Sequence, residues 1–431
     1  MNAQSERTIY MEQLLHYVWK HRLFQKDLKT TDGQSFEVLD TGTLNTDGGP
    51  DFFNAKIKIG DKVWAGDIEI HRTSDDWYKH KHETNPVYNS VILHVVEFAG
   101  REVCNQASRV IPQCQIIYPQ HVKDNVEYLL HADVAIPCGN YIGTVPAIHL
   151  RGWLNTLLVE RLERKSNDIY RYLEKFNGSW EEAFYILLSR NFGFGLNSDS
   201  FERLALSLPL RFIQKQGDNL FQIEALLLGQ AGLLDEEQPD DYSKKLRQEY
   251  EFLRNKYTLI PVDPYLFKKL RVRPTGSPYI RLAQLAVLLY KTYGLFSKIL
   301  KSEDVGHIRL LFHENASEYW QTHYVIGEES PRKSKYLGDS SLNVILINTV
   351  APILFAYGKN TGNEVLCERA LHFLEQIGPE SNYITRDFAG CRVIAKNAYD
   401  SQALIQLRRE YCEKKKCLFC RIGYKMLSEN Q

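Results

Sequence analysis

The chain has 431 residues, 44% of them hydrophobic and 25% charged, and its 53 Lys and Arg balance 53 Asp and Glu. That length accommodates two or three domains with sizeable cores. The zero net charge excludes a globally basic nucleic-acid coat and an acidic disordered tail, though not a local basic groove.

Residues 8–24 carry Ile9, Leu14, Leu15, Val18, Trp19 and Leu23 at helical spacing and predict an opening helix. Short strands follow at 36–39, 52–59 and 63–70, the last two joined by a tight hairpin at Gly60-Asp61. The polar stretch 73–85 predicts a short helix ended by Pro86, and 91–96 is an apolar run typical of a buried strand. The order is helix, three strands, helix, strand. Helical patterns then occupy 153–176, 180–188, 201–215, 221–234, 242–257, 280–300 and 342–357. Pro261, Pro264, Pro274 and Pro278 interrupt them with a loop that carries Arg271 and Arg273. Two or three further helices lead to a C-terminal cysteine cluster. The predicted class is an α+β domain over 1–140, a large all-α domain over 141–360 and a helical segment over 361–431. No run of about 18 apolar residues predicts a membrane-spanning helix. The N-terminus lacks the pattern of a secretory leader, and eight cysteines are too few for a disulfide scaffold. A reducing cytoplasm is the expected setting.

The most informative stretch is Gly49-Pro50-Asp51 followed by Gly66-Asp67-Ile68-Glu69-Ile70-His71. Residues two apart in a strand share a face, so Asp67, Glu69 and His71 are expected on one side, with Ile68 and Ile70 on the core side. Asp51 opens the preceding strand of the same hairpin and can reach Glu69. Two carboxylates converging there suit a hard divalent ion such as Mg²⁺ or Mn²⁺, which activates water and stabilises charge on a phosphodiester. An edge strand whose polar face meets only water is the competing reading.

This arrangement resembles the PD-(D/E)xK nuclease superfamily, whose core runs helix, three strands, helix, strand. The resemblance maps Pro50-Asp51 onto the Pro-Asp motif and Glu69-x-His71 onto the (D/E)xK motif, with His71 where the family carries lysine. It implies a metal-dependent nuclease with Asp51 and Glu69 as metal ligands, His71 acting on water, and Glu12 and Asp67 in support. The alternatives are a non-catalytic nucleic-acid or protein-binding member of that fold, and a structural protein with a cysteine metal site. DNA or RNA is the expected partner of the first. Arg72, Trp77 and Tyr78 would then lie beside the site and contact phosphates and bases, with Arg271 and Arg273 as further phosphate contacts.

His71, His80, His82 and His94 fall within one short stretch. His80-x-His82 offers two ligands for Zn²⁺ or Mn²⁺, but Lys79-His80-Lys81-His82 reads more simply as a solvated basic turn, and His94 as a hydrogen-bonded core residue. Cys412, Cys417 and Cys420 follow a C-x4-C-x2-C spacing, and Cys391 upstream is a candidate fourth ligand for an iron–sulfur cluster or zinc. Lys414, Lys415 and Lys416 beside them would lower the thiol pKa. Pro50-Asp51-Phe52-Phe53-Asn54-Ala55, Trp64-Ala65-Gly66, Asp76-Trp77-Tyr78, Arg281-Leu282-Ala283-Gln284 and the stretch 411–423 together resemble, nearly end to end, the bacterial family known as domain of unknown function 2851. That resemblance carries no assigned activity.

Overall fold

A computed structural model describes residues 3–234, 239–270 and 272–428. The chain forms two compact units. The first comprises Met1–Trp153, Gly390–Val393 and Leu407–Gln431, and the second Leu154–Ala389 and Ile394–Gln406. This division differs from the three segments drawn from sequence. The cysteine-bearing end returns to the first unit, where Leu418, Met426 and Leu427 join its core.

The first unit opens with helix α1 (Ala3–Lys20). It stops earlier than the apolar spacing suggests, because Arg22 turns into the left-handed region at φ 53°. The sheet strands are β1 (Leu28–Lys29), β2 (Ser35–Asp40), β3 (Thr43–Leu44), β4 (Phe52–Ile59) and β5 (Lys62–Thr73). After helix α2 (Ser74–Lys79) comes β6 (Val91–Phe98), then the small pair β7 (Val103–Cys104) and β8 (Val110–Ile111), and β9 (Gln113–Gln115). The main sheet runs β1-β2-β4-β5-β6-β9, with β3 on β4. Strands β2, β4 and β5 are antiparallel neighbours, whereas β5–β6 and β6–β9 are parallel.

Chemistry explains the pattern. In β4, Phe52, Ala55, Ile57 and Ile59 are buried while Lys56 and Lys58 face out, and Gly60 makes the hairpin at φ 56°. Parallel pairing needs cover on both faces, so β6 is buried from Val91 through Glu97. One face packs on Leu14, Leu15, Val18 and Trp19 of α1 and on Val122, Val126 and Leu129 of helix α3 (Gln120–His131). Trp77, Tyr88, Val91, Val103 and Ile111 form a smaller cluster.

The second unit is helical. Pro209 splits the predicted 201–215 helix into Ser198–Ser207 and Leu210–Gln214, and Gly294 at φ 67° splits 280–300 into Pro278–Lys291 and Leu295–Lys301. The continuous helical stretch Asp339–Thr361 corrects one expectation. Among the described residues it is long and apolar enough to cross a membrane, and most of it is buried. Its buried Ile347, Val350, Ile353, Leu354 and Phe355 belong to the packed interior of the unit.

Glu224, on helix Leu220–Gln230, is 1% exposed and accepts a hydrogen bond from the Tyr242 hydroxyl. Burial pushes its pKa up from 4.5 to about 7, against the opposing Tyr242 bond. The folded state therefore holds a proton that the unfolded chain releases above about pH 4.5. This contribution to stability is complete below that pH and is lost as pH rises through about 7, a swing on the order of 3 kcal/mol. Glu224→Gln cannot ionise. Its melting temperature should rise relative to wild type between pH 5 and pH 8, and an unchanged difference across that range would show that Glu224 is not the titrating group.

Candidate metal centre

The candidate centre is built from α1, the β4–β5 hairpin and the segment between α2 and β6. Glu69 and His71 on β5 are 4% and 2% exposed, so the reading of this strand as a water-facing edge is set aside. Pairing with β6 covers them: Glu69 lies opposite His94 and His71 opposite Val96. Asp51 meets Glu69 through its backbone amide, where the expectation was its carboxylate. Its amide donates to Glu69 Oε2 (3.2 Å), while its own Oδ2 accepts the Ile70 amide (2.9 Å). Asp51 Oδ2 also lies 3.2 Å from His16 Nε2 on α1.

Asp67 does not join the cluster. Asn54 sits in the left-handed region at φ 57°, within the irregular stretch of β4 between Phe52 and Ala55. The Asn54 amide donates to Asp67 Oδ1 (3.0 Å) and the Ser90 hydroxyl to Asp67 Oδ2 (2.6 Å). Both carboxylate oxygens are thus occupied by hydrogen bonds that hold the loop before β6.

Lys79, His80 and Lys81 are exposed, as a solvated turn requires, but His82 is buried. Thr73 and Asp76 form a capping box on α2, and Lys81 turns left-handed at φ 60°, which folds His82 back inside. Candidate ligand atoms of His71, His80 and His82 lie within 4.8 Å of one another. His71 Nε2 stands 3.1 Å from His80 Nδ1 and 3.4 Å from Glu69 Oε1, and His82 Nε2 stands 3.2 Å from the same oxygen. Ligand atoms about 2.0–2.1 Å from one tetrahedral ion stand about 3.3 Å apart, the spacing of these three contacts, and the group that gathers mutually within 4.8 Å is the three imidazoles. The His82 nitrogens supply a second sign. Both are buried without a hydrogen-bond partner, and the 3.2 Å approach to Glu69 lacks hydrogen-bond alignment. Two ligand-type atoms this close without hydrogen-bond alignment have the spacing of co-ligands.

The electrostatics agree. Burial, then the neighbouring imidazoles, hold His71 well below its ordinary pKa. Burial and His80 lower His82 to about 4, and burial and His82 lower His94 to about 3. All three are neutral near pH 7, the ligating form. Burial, then Asp51, raises the Glu69 carboxyl. Burial raises Glu12 too, against the opposing influence of His80 and His16, so it lies within electrostatic reach of the cluster. A cation offsets the cost of ionising Glu69 there.

Behind the cluster, His71 Nδ1 meets His94 Nε2 (2.9 Å), and His94 Nδ1 meets the Gln113 amide (3.1 Å), which accepts from Ser74 Oγ (2.9 Å). His94 is thus the hydrogen-bonded core residue expected. The relay orients His71 as outer partners orient metal-bound imidazoles.

The remaining candidates of the first unit are engaged in other contacts. Trp77 is fully buried, donates to the Cys104 carbonyl (3.0 Å) and packs edge-on to His82, so it cannot stack on a base from this position. Tyr78 donates to the Glu102 carbonyl (2.9 Å) under Arg101, and Arg72 pairs with Glu97 (3.4 Å). Arg273 is exposed before the turn Pro274–Gly276 of the second unit, and Arg271 lies outside the described residues. Cys412, Cys417 and Cys420 line one cavity, whereas Cys391 packs where a Cβ on Gly139 would come within 2.9 Å of its sulfur. The lysines beside the cysteines do not set their pKa: burial raises Cys417 to about 11 despite Lys415. Sequence reasoning missed His16, although Glu12 and His16 are four apart and share a helix face.

A family model described as a protein of unknown function, DUF2851, matches residues 12–383. No curated protein and no solved structure matches the chain.

Proposed function

The chain belongs to the DUF2851 family, and for it we propose a divalent-metal-dependent phosphodiesterase that acts on single-stranded nucleic acid. The observation that carries this reading is the convergence of Glu69, His71, His80 and His82 at ligand spacing beside the Asp51–His16 pair. The run α1, β2, β4, β5, α2, β6, with β5 and β6 parallel, supports a PD-(D/E)xK-like core. The donor set is richer in imidazole than that motif and favours Zn²⁺ or Mn²⁺ over Mg²⁺.

In this reading Glu69, His71 and His82 hold the ion from the buried side, and the exposed His80 completes the set. A bound ion lowers the pKa of coordinated water and neutralises charge on a phosphoryl oxygen. His71 is assigned to the ion rather than to water, because it is 2% exposed and its Nδ1 is tied to His94. Asp51 and His16 are each roughly a quarter exposed, and this pair takes a proton from the attacking water, with Asp51 orienting the imidazole. A groove shares His16 with the centre and is lined by Tyr17, Lys20, His21, Phe419, Arg421 and Tyr424. Cations interleaved with aromatic rings suit stacked bases and backbone phosphates of a single strand.

One observation favours a second reading. Four donors can close round an ion, as in structural zinc sites, whereas catalytic sites keep a position open. Single-turnover assays on labelled single- and double-stranded DNA and RNA with Zn²⁺, Mn²⁺ or Mg²⁺ separate the two. Wild type should cleave single strands, and Asp51→Asn should retain metal and lose at least about 100-fold in rate. Stoichiometric metal with no cleavage of any substrate would turn the assignment to the structural reading.

A further inference from the structure

The returning C-terminal segment brings a second set of soft donors into the first unit. Cys138, Cys412, Cys417 and Cys420 line the same cavity, together with Leu129, Pro137 and Leu407. Cys138 precedes the short helix Gly139–Ile142. Cys417–Phe419 forms one tight turn, closed by the Cys420 amide on the Cys417 carbonyl (3.2 Å). Gly423 is required there: a Cβ would lie 2.1 Å from the Cys417 carbonyl oxygen. This close return lets the Gly423 and Ile422 amides hydrogen-bond to the Cys420 sulfur.

Single buried thiols are common, since cysteine packs as a small hydrophobe. Four round one cavity, with backbone amides directed at a sulfur, are a different arrangement. All four sulfur-bearing side chains border the same small cavity, whose remaining lining is almost wholly apolar. A coordinating metal deprotonates its thiols outright.

We propose that Cys138, Cys412, Cys417 and Cys420 hold a thiophilic metal centre, with Cys138 rather than Cys391 as the fourth ligand. The C-x4-C-x2-C spacing of Cys412, Cys417 and Cys420 with one remote cysteine is a pattern of iron–sulfur ligation, which makes a cluster the expected content. The centre braces the groove wall, because Leu418 and Phe419 of the cysteine turn, and Cys420 that closes it, also line the groove. The ligand assignment does not depend on the phosphodiesterase reading.

The full-length chain, purified without oxygen, should carry iron and acid-labile sulfide with broad visible absorption bleached by dithionite. If zinc fills the site instead, cadmium exchange gives the ultraviolet thiolate-to-metal band, which the imidazole centre cannot produce. Whichever chromophore is found should fall at least tenfold in Cys138→Ser and in Cys412→Ser and persist in Cys391→Ser, with circular dichroism confirming folded variants. Absence of both chromophores in wild type overturns the proposal. So does a Cys138→Ser protein that keeps the chromophore while Cys391→Ser loses it.

Discussion

Glu69→Gln should lose the ion of the imidazole centre, with zinc affinity falling by more than about 100-fold. Removing only an outer partner of a metal ligand costs about 10–100-fold, so the loss of a first ligand must exceed that range. Gln preserves the volume of a side chain that is 4% exposed, and its carbonyl still accepts the Asp51 amide. The uncharged replacement also suits the metal-free fold, since burial and Asp51 favour the protonated form of Glu69. Metal-free wild type and variant should therefore melt at similar temperatures. Added zinc should raise the wild-type melting temperature, by linkage to a ligand that binds only the folded state, and leave the variant unmoved. Gln113→Leu is the internal comparison. It breaks the relay behind His94 and should weaken zinc only within the outer-partner range. A Glu69→Gln protein that still binds one zinc per chain with wild-type affinity would remove Glu69 from the ligand set.

How much of this was legible in the sequence depends on the range of each interaction. Glu69 and His71 were legible because strand periodicity is local, and the Pro50-Asp51 start lies in the same hairpin. Periodicity misassigned Asp67, because the irregularity at Asn54 supplies an amide that claims its carboxylate. His80 and His82 follow no period. They converge because one residue between them, Lys81, adopts a left-handed backbone that basic residues rarely announce. His16 obeys a helical spacing and was within reach. Cys138 was not, since its meeting with Cys412 spans most of the chain and depends on the route taken back to the first unit. Element order and the strands of the central hairpin follow from patterning, whereas the composition of both clusters follows from tertiary closure.

The second large effect is expected at Trp77, where the two readings of one residue part most clearly. A base-stacking tryptophan would be exposed, and its removal would weaken nucleic-acid binding at constant stability. The indole is instead fully buried, bonded to the Cys104 carbonyl and packed on His82, His94 and Tyr88. Trp77→Ala should cost about 3–5 kcal/mol through lost burial and the cavity left behind. That cavity opens directly beneath the rings of His82 and His94, so the ligand geometry loosens and zinc affinity falls with stability. Trp77→Phe fills most of the space and leaves only the Cys104 carbonyl without its donor, a cost of about 1–3 kcal/mol, with zinc retained. Denaturant unfolding and zinc titration of the two variants measure both quantities. Unchanged stability in Trp77→Ala, with nucleic-acid binding lost, would restore the stacking role and place the ring at the surface.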